Sequence, residues 1–322
     1  METAFHSYIT MLLLLSVLVD KMVAISQLSD LNNKCSYTMN KVILTCADLE
    51  EVNQNLEPLL TDDTRVLILK KCKDVNLIQG KRFERDHPNL NNYQIIASER
   101  FYVDQHSFYG LTNLKYLYIQ KTPWKEILEN SFKGLKNLQV LNLVNNRIKI
   151  LNKKSFAQLT NLESLDLSQN SLETLGSHIF KSLENLETLY LLKNNIATIS
   201  HNSFEGLQHL INLMLAHNNL EQIEVSTFNG LKSLKHLNLE FNSIEKIVGD
   251  FDLPKLQFLN LGHNKLIHIH NSVFKNCKDL ESVDLSYNNI QQLNHDPFLG
   301  LKILRHLNLM QNNISRERER QK

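Results

Sequence analysis

The side chains that could support catalysis are scattered along this chain and do not form a catalytic motif. The sequence contains no G-x-S-x-G, H-E-x-x-H, P-loop or C-x-x-C pattern, each of which sets reactive groups at a fixed spacing. Asp166 and Asp284 occupy equivalent positions in different repeat units, too far apart to act as a carboxylate pair. We therefore predict that the protein is not an enzyme and needs no cofactor.

Histidines are the next residues that could carry chemistry. Four of them recur at related positions in the second half of the chain: His217, His236, His263 and His306. His268 and His270 could share a face, but a zinc site needs three or four converging ligands and no third one has a suitable spacing. The sequence therefore predicts no metal site. The recurring histidines are compatible with a pH-sensitive surface, because histidine titrates near neutral pH.

The four cysteines suggest one disulfide and two buried thiols. Cys35 and Cys46 flank ten residues, and the second half of this segment is rich in β-branched residues typical of a strand. In an oxidising compartment this pair is a plausible small disulfide loop, with pairing to Cys72 as an alternative. Cys72 and Cys277 fall in columns of the repeat described below that predict burial.

The N-terminus has the pattern of a secretory signal. An apolar run of 12 residues covers positions 8–19, which is too short to span a bilayer, and small residues follow at Ala24 and Ser26. We expect residues 1–26 to be a signal peptide, although this start carries no Lys or Arg. No later run reaches 18 apolar residues, so the sequence predicts a secreted, extracellular protein without a transmembrane segment.

The elements that position these residues come from an internal repeat. The unit is L-x-x-L-x-L-x-x-N-x-L, and it accounts for much of the 58 Leu in 322 residues. The spacing between units is 24 residues, except for 22 between Leu234 and Leu256. The first Leu of each unit is Leu90, Leu114, Leu138, Leu162, Leu186, Leu210, Leu234, Leu256, Leu280 or Leu304. A degenerate earlier unit contains Leu67 and Leu69, with Cys72 in the Asn column, which makes eleven units over residues 64–314.

This pattern predicts a stacked solenoid. Leu at alternate positions of a short strand points into a shared interior, and one unit cannot bury its apolar face alone. The Asn column should turn inward and satisfy backbone groups that the tight turn leaves unpaired. A second column should pack under the outer arc as an aromatic spine. It consists of Phe108, Phe132, Phe156, Phe180, Phe204, Phe228, Phe274 and Phe298, with Phe251 approximating the same place in the short unit.

The repeat resembles the typical 24-residue subfamily of animal extracellular leucine-rich-repeat proteins. That group includes Toll-type receptor ectodomains, Slit-like and chaoptin-like adhesion proteins and secreted insect immune proteins. The resemblance implies an α/β-type horseshoe with a parallel concave sheet and irregular or short helical convex arcs. The segment around Cys35 and Cys46 resembles the second half of the group's N-terminal cap.

Domain bounds follow from the repeat and from the resemblance. We assign residues 27–63 to an N-terminal cap, 64–314 to the repeats and 315–322 to a charged tail. The chain departs from the group in having two cap cysteines instead of four and no Cys-rich C-terminal cap. An uncapped last repeat would fray or form a homo- or heterodimer through its edge.

Any binding information should lie at the non-structural positions of the concave strands. Several of these positions are apolar or aromatic, which is typical of protein interfaces. The candidate ligand-binding residues are Tyr190, Leu192, Met214, Phe241, Phe258 and Tyr287. A net charge of +1 argues against a general nucleic-acid binder. Asn313 begins the only N-x-S/T glycosylation sequon.

Three functions fit these observations. The leading hypothesis is a secreted interaction module that recognises a protein or microbial ligand, by analogy in innate immunity. The first alternative is a cell-adhesion or receptor ectodomain whose membrane anchor is missing from this sequence. The second is an inhibitor that wraps an enzyme.

Overall fold

The main element is a 13-stranded sheet made from an N-terminal hairpin and one strand of every repeat. The computed structural model describes residues 34–39, 41–52, 59–78, 88–293 and 297–315. The predicted signal peptide and residues 316–322 of the charged tail therefore lie outside the described residues. A hairpin of β1 (Cys35–Thr38) and β2 (Ile43–Ala47) begins the sheet with an antiparallel pair, and every later neighbour is parallel. Eleven parallel strands thus follow the hairpin in the part of the chain that is described.

The concave sheet contains its strands in the order of the sequence, apart from short arc strands between them. Its members are β1 (Cys35–Thr38), β2 (Ile43–Ala47), β4 (Val66–Lys70), β6 (Asn92–Ile96), β8 (Tyr116–Gln120), β10 (Val140–Asn142), β12 (Ser164–Asp166), β14 (Thr188–Tyr190), β16 (Asn212–Met214), β18 (His236–Asn238), β20 (Phe258–Asn260), β21 (Ser282–Asp284) and β22 (His306–Asn308). Because the register places each central Leu opposite the next, side chains at one repeat position form continuous rows across the sheet.

The arcs on the other side are turns joined by small sheets. A three-stranded sheet contains β3 (Glu51–Val52), β5 (Asp74–Asn76) and β7 (Arg100–Tyr102). Three further pairs are β9 (Glu126–Ile127) with β11 (Ile150–Leu151), β13 (Thr174–Leu175) with β15 (Thr198–Ile199), and β17 (Gln222–Glu224) with β19 (Lys246–Val248). A 3-10 helix at Val225–Phe228 is the longest helical element among the described residues. The predicted solenoid is confirmed, and its arcs are irregular with almost no helix.

The core consists of the predicted Leu rows and the Phe spine. The central Leu of each strand from β10 to β20 is buried, as is Val283 in β21. Successive Phe rings of the spine stack with centroids 5.8–6.3 Å apart from Phe108 to Phe298. Phe251 keeps the spine continuous through the 22-residue unit, as predicted. Each ring from Phe132 to Phe274 packs between two others, so the spine connects the repeats from Phe108 to Phe298.

The Asn column closes the turn after each strand. Asn194 accepts a hydrogen bond on Oδ1 from the backbone N–H of Leu172 at 3.1 Å, and its Nδ2 donates to the carbonyls of Leu167 and Leu191 at 3.0 and 3.2 Å. The same pattern recurs at Asn170, Asn218 and later members of the column. This arrangement is the one predicted, because a buried backbone N–H without a partner is costly.

The cysteines behave as expected. Cys35 and Cys46 form a disulfide across the β1–β2 hairpin, where they are direct partners in the register. Cys72 and Cys277 are free and buried. Burial raises the pKa of both thiols, that of Cys277 to about 12, which makes them poor nucleophiles. The described part of the chain contains no helix long and apolar enough to cross a membrane.

Candidate functional site

A column of four aromatic rings, three of them exposed and His263 half-buried, lies where the concave strands end. His217, Phe241, His263 and Tyr287 each occupy the seventh position after the first Leu of their repeat. Their rings are stacked, with centroids 4.4 Å apart for His217 and Phe241, and 4.1 Å apart for both Phe241–His263 and His263–Tyr287. We call these four residues the aromatic ladder.

The ladder is more exposed than a core feature would be. The Phe241 side chain is 40% exposed and that of Tyr287 is 48% exposed. Because the ring faces cover one another, the surface left to solvent consists mainly of ring edges and the polar ends of the histidines and Tyr287. Such a strip is a flat, rigid and partly apolar surface, which is the kind that protein interfaces enrich.

The backbone at these positions makes the two bulkiest ladder residues costly. All four have φ between 52° and 57°, in the left-handed region, which histidine tolerates and which bulky residues such as Phe241 and Tyr287 rarely adopt. The same turn carries Asn145, Gln169 and Lys193 in the preceding repeats, also with positive φ. Strain at Phe241 and at Tyr287 costs about 1–3 kcal/mol each, and each stacked pair of the ladder contributes about 0.5–1.5 kcal/mol. A small polar residue such as Asn would therefore be less strained at these two positions.

A second stack lies on the strands themselves. The rings of His236 and Phe258 are partners in the register of β18 and β20, and their centroids are 4.9 Å apart. A ring nitrogen of His236 lies 2.6 Å from Asn212 Oδ1. Partial burial, with a smaller contribution from the charge of Lys235, lowers the pKa of His236 below 6.5 and favours the neutral ring.

The remaining predicted site residues lie nearer the middle of the sheet. Tyr190 and Met214 are partners in the register of β14 and β16, as the sequence predicted, and Leu192 follows two residues after Tyr190. Leu192 and Met214 are half-buried, and Tyr190 is exposed. In their row, Asn238 separates Met214 from the later repeats, so this cluster is distinct from the ladder.

A polar furrow runs along the opposite ends of the strands. It has a volume of about 720 Å³ and is lined by Asn residues that precede successive strands, together with charged side chains of both signs such as Lys115 and Glu163. These amides already donate to the preceding repeat, as in the bonds of 2.9 Å from Asn161 to the Lys136 carbonyl and 2.8 Å from Asn185 to the Thr160 carbonyl. The furrow is therefore explained by its structural role.

One arc brings Ser272, His270 and Asp250 together, with His270 Nδ1 at 3.4 Å from Ser272 Oγ and 3.6 Å from Asp250 Oδ1. Ser272 Oγ donates to Asp250 Oδ1 at 2.7 Å, while His270 directs Nε2 toward the Gly249 carbonyl at 2.9 Å. In a catalytic triad the histidine accepts the serine proton and the acid orients the histidine, which is not the arrangement here. Within the described ranges, no group of three or more His, Cys, Asp or Glu side chains could hold a metal ion.

Family models match the repeats over most of their length. A model described as BspA type leucine rich repeat region matches residues 76–211 in six copies, and one described as leucine rich repeat matches residues 208–266 and 254–314. The chain is a leucine-rich-repeat protein. A search of curated proteins finds no match.

Solved structures share the leucine-rich-repeat fold. In the crystal structure of the TLR13–ssRNA13 complex, the identity is 27% and the TM-score 0.69, over 85% of this chain and 44% of that one. A chain of the octameric complex of Latrophilin 3, Unc5D and FLRT2 gives 23% and 0.74, over 86% and 83%. The APL1 leucine-rich repeat domain gives 19% and 0.60, over 83% and 69%. This chain spans less than half the length of the first, and the two others show the fold alone.

Sequence reasoning found half of the ladder. Phe241 and Tyr287 were predicted as interface residues, whereas His217 and His263 were considered only as histidines on the concave face. The signal that unites all four is their shared offset within the repeat. It gains meaning only once the turn is known to align the four rings in one column.

Proposed function

We propose that this chain is an extracellular protein-interaction module that binds its partner on the concave face, at the aromatic ladder and the His236–Phe258 stack. The observation that carries the proposal is the ladder itself. Its rings are stacked in register, three of the four residues are exposed, and Phe241 and Tyr287 occupy backbone positions where bulky side chains cost stability. A feature that opposes the fold and faces solvent is best explained by binding.

The proposed partner surface includes all six candidate residues. Phe241, Tyr287 and Phe258 supply exposed rings, and Tyr190 extends the surface toward the first half of the sheet. Leu192 and Met214 are half-buried beside Tyr190 and would be covered further by a ligand that crosses the sheet. Aromatic and Met side chains are the types that contribute most at the centre of interfaces.

Secretion and an immune role form part of the proposal. The Cys35–Cys46 disulfide supports an oxidising compartment, and the apolar run at residues 8–19 supports export. The similarity to TLR13, at 27% identity, supports a fold of the kind found in Toll-type receptor ectodomains. We favour a secreted immune protein of the animal extracellular subfamily. Glycosylation at Asn313 and dimerisation at the β22 edge, where Leu307 is 40% exposed, remain proposals.

Site-specific photo-crosslinking tests the proposed surface. A benzophenone side chain replaces Tyr287 in one variant and Tyr109, an exposed tyrosine of an arc, in the matched control. Both secreted variants are irradiated in extracellular fluid of the source organism, and adducts are identified by mass spectrometry. We expect the same partner to be captured at 287 and not at 109. Capture at 109 alone, or equal capture at both positions, would place the binding surface elsewhere.

A further inference from the structure

We propose that a recess around Asp284 binds an arginine side chain presented by the protein partner. This inference rests on the proposed function, since it names the chemistry that the same concave face recognises. The Asp284 recess consists of Phe258, Gly262, Ser282, Asp284 and Ser286, on and directly after β20 and β21. Along the repeat, Phe258 is two positions after the first Leu, Asp284 is four positions after it and the ladder residues are seven positions after it, so the recess lies between the two stacks.

Small residues surround the carboxylate on its own strand and on the one before it. A Cβ atom at position 262 would lie 3.2 Å from Asn260 Oδ1, 3.3 Å from Asp284 Oδ1 and 3.4 Å from Ser286 Oγ. Since these distances are tighter than ordinary Cβ contacts, the glycine allows the three polar side chains to approach one another closely. The side of the carboxylate toward Ser282 carries only a small side chain, and this is the side from which a ligand group can reach it.

The carboxylate of Asp284 is hydrogen-bonded but has no cation. Ser286 donates to Oδ1 from its backbone N–H at 2.8 Å and from Oγ at 2.6 Å, and Asn308 Nδ2 donates to Oδ2 at 3.0 Å. These neutral donors hold the carboxylate in one orientation without compensating its charge. Throughout the described ranges no Lys, Arg or His forms an ion pair with Asp284.

A second uncompensated carboxylate lies close to the recess. Glu240 occupies the position in its repeat that Gly262 occupies in the next, and the adjacent Phe241 N–H donates to the Gly262 carbonyl at 3.1 Å. Glu240 also forms no ion pair with any described residue. Two acids without cation partners give this part of the concave face a negative character, which favours a cationic ligand group.

Phe258 supplies the aromatic face that selects arginine. One face of its ring stacks on His236, and its partner on the other side in the register is Ser282, which is too small to cover a ring. Asp284 lies two residues beyond Ser282 on the same face, at about 6.6 Å along the strand. A planar guanidinium can lie on the open ring face and direct its N–H fork at the carboxylate. A lysine ammonium lacks this plane and fork.

Single-stranded nucleic acid fits the surface less well. Base stacking needs open aromatic faces, but both faces of Phe241 and His263 are covered by neighbouring ladder rings at 4.1–4.4 Å. The open face of Phe258 lies beside the Asp284 carboxylate, which repels a nucleic-acid backbone. Phosphate groups near the recess would also meet Glu240 and Asp284. The geometry therefore favours a protein segment in which an arginine is flanked by apolar side chains that pack on the ladder edges.

A displayed library of random dodecapeptides tests the assignment on the intact chain. Selected peptides should carry arginine at one fixed position beside apolar residues. In fluorescence-polarisation titrations of the consensus peptide, we expect Asp284→Asn and Phe258→Leu each to weaken binding by about tenfold or more. Replacement of the peptide arginine by lysine should also weaken binding.

Asp166→Asn is the matched control. Asp166 lies in the same row of the sheet as Asp284 and accepts hydrogen bonds from the Ser168 N–H at 2.8 Å and from Asn142 Nδ2 at 3.4 Å. Ser164 takes the place of Ser282 on its strand. The position equivalent to Phe258 is Val140, so no aromatic ring lies beside Asp166 there. This variant should bind the peptide within about twofold of wild type. Circular dichroism verifies that every variant is folded.

Three results would overturn the proposal. They are selected peptides without a fixed arginine, unchanged affinity in Asp284→Asn, and displacement of the peptide by single-stranded RNA at a lower concentration than by free peptide. If photo-crosslinking at position 287 still captures a partner in any of these cases, only the arginine assignment fails. If crosslinking at 287 fails as well, the concave face itself is the wrong surface.

Discussion

Removal of one amide from the Asn column should destabilise the whole solenoid measurably. In Asn194→Ala the carbonyls of Leu167 and Leu191 each keep one donor, because Asn170 donates to the first at 3.0 Å and Asn218 to the second at 2.9 Å. The Leu172 N–H has only Asn194 Oδ1 as its acceptor among the described contacts. The cost is therefore that of one buried, unpaired N–H, about 1–3 kcal/mol.

Urea unfolding followed by circular dichroism measures this loss. The matched control is Asn195→Ala, since Asn195 is adjacent, exposed and outside the column. Its effect should stay within about 0.5 kcal/mol. Hydrogen exchange should also show faster exchange at the Leu172 amide in Asn194→Ala alone. Equal stability of the two variants, or unchanged exchange at Leu172, would refute the view that the column works by satisfying buried backbone groups.

Three further predictions concern the titratable and sulfur-containing residues. The pKa of His236 is lower in the folded than in the unfolded chain, so the unfolded chain binds this proton first as the pH falls. The stability contributed by neutral His236 is therefore lost as the pH falls below about 6.5. Thermal melts from pH 7.5 to 5 should show a smaller drop in melting temperature for His236→Gln than for wild type. Replacing both Cys35 and Cys46 by Ser should lower stability by about 3 kcal/mol in urea unfolding, because the 11-residue separation closes a short loop. Iodoacetamide should label Cys277 only after unfolding, because burial raises its pKa to about 12, and mass spectrometry of the native protein should show it unmodified.

The repeat made most of the fold predictable from the sequence. The spacing of Leu138, Leu141 and Leu143, repeated along the chain, determines which residues point inward. The Phe residues of the spine recur with the same period and are therefore also predicted to be buried. The disulfide between Cys35 and Cys46 was predictable because a strand-like segment brings the second cysteine back toward the first. These features depend on burial, and burial leaves a strong periodic signal.

The arcs and the site were less predictable for a physical reason. The pairing of Thr174–Leu175 with Thr198–Ile199 in the arcs depends on how turns superimpose, and two-residue strands leave little periodic signal. The ladder depends on the left-handed φ at Phe241 and Tyr287, which aligns side chains that the sequence alone shows only as exposed. The close approach of polar side chains around Gly262 also became visible only in the structure, because two of them come from the next repeat.

The most direct test of the central claim replaces all four ladder residues by Asn, the residue found at this turn in position 145. Binding of the partner captured at position 287 is measured by biolayer interferometry, with thermal stability measured beside it. Because Asn tolerates positive φ, the account predicts a melting temperature equal to or above that of wild type, together with at least about hundredfold weaker binding. Retained binding in a folded variant would contradict the claim that the ladder exists for recognition.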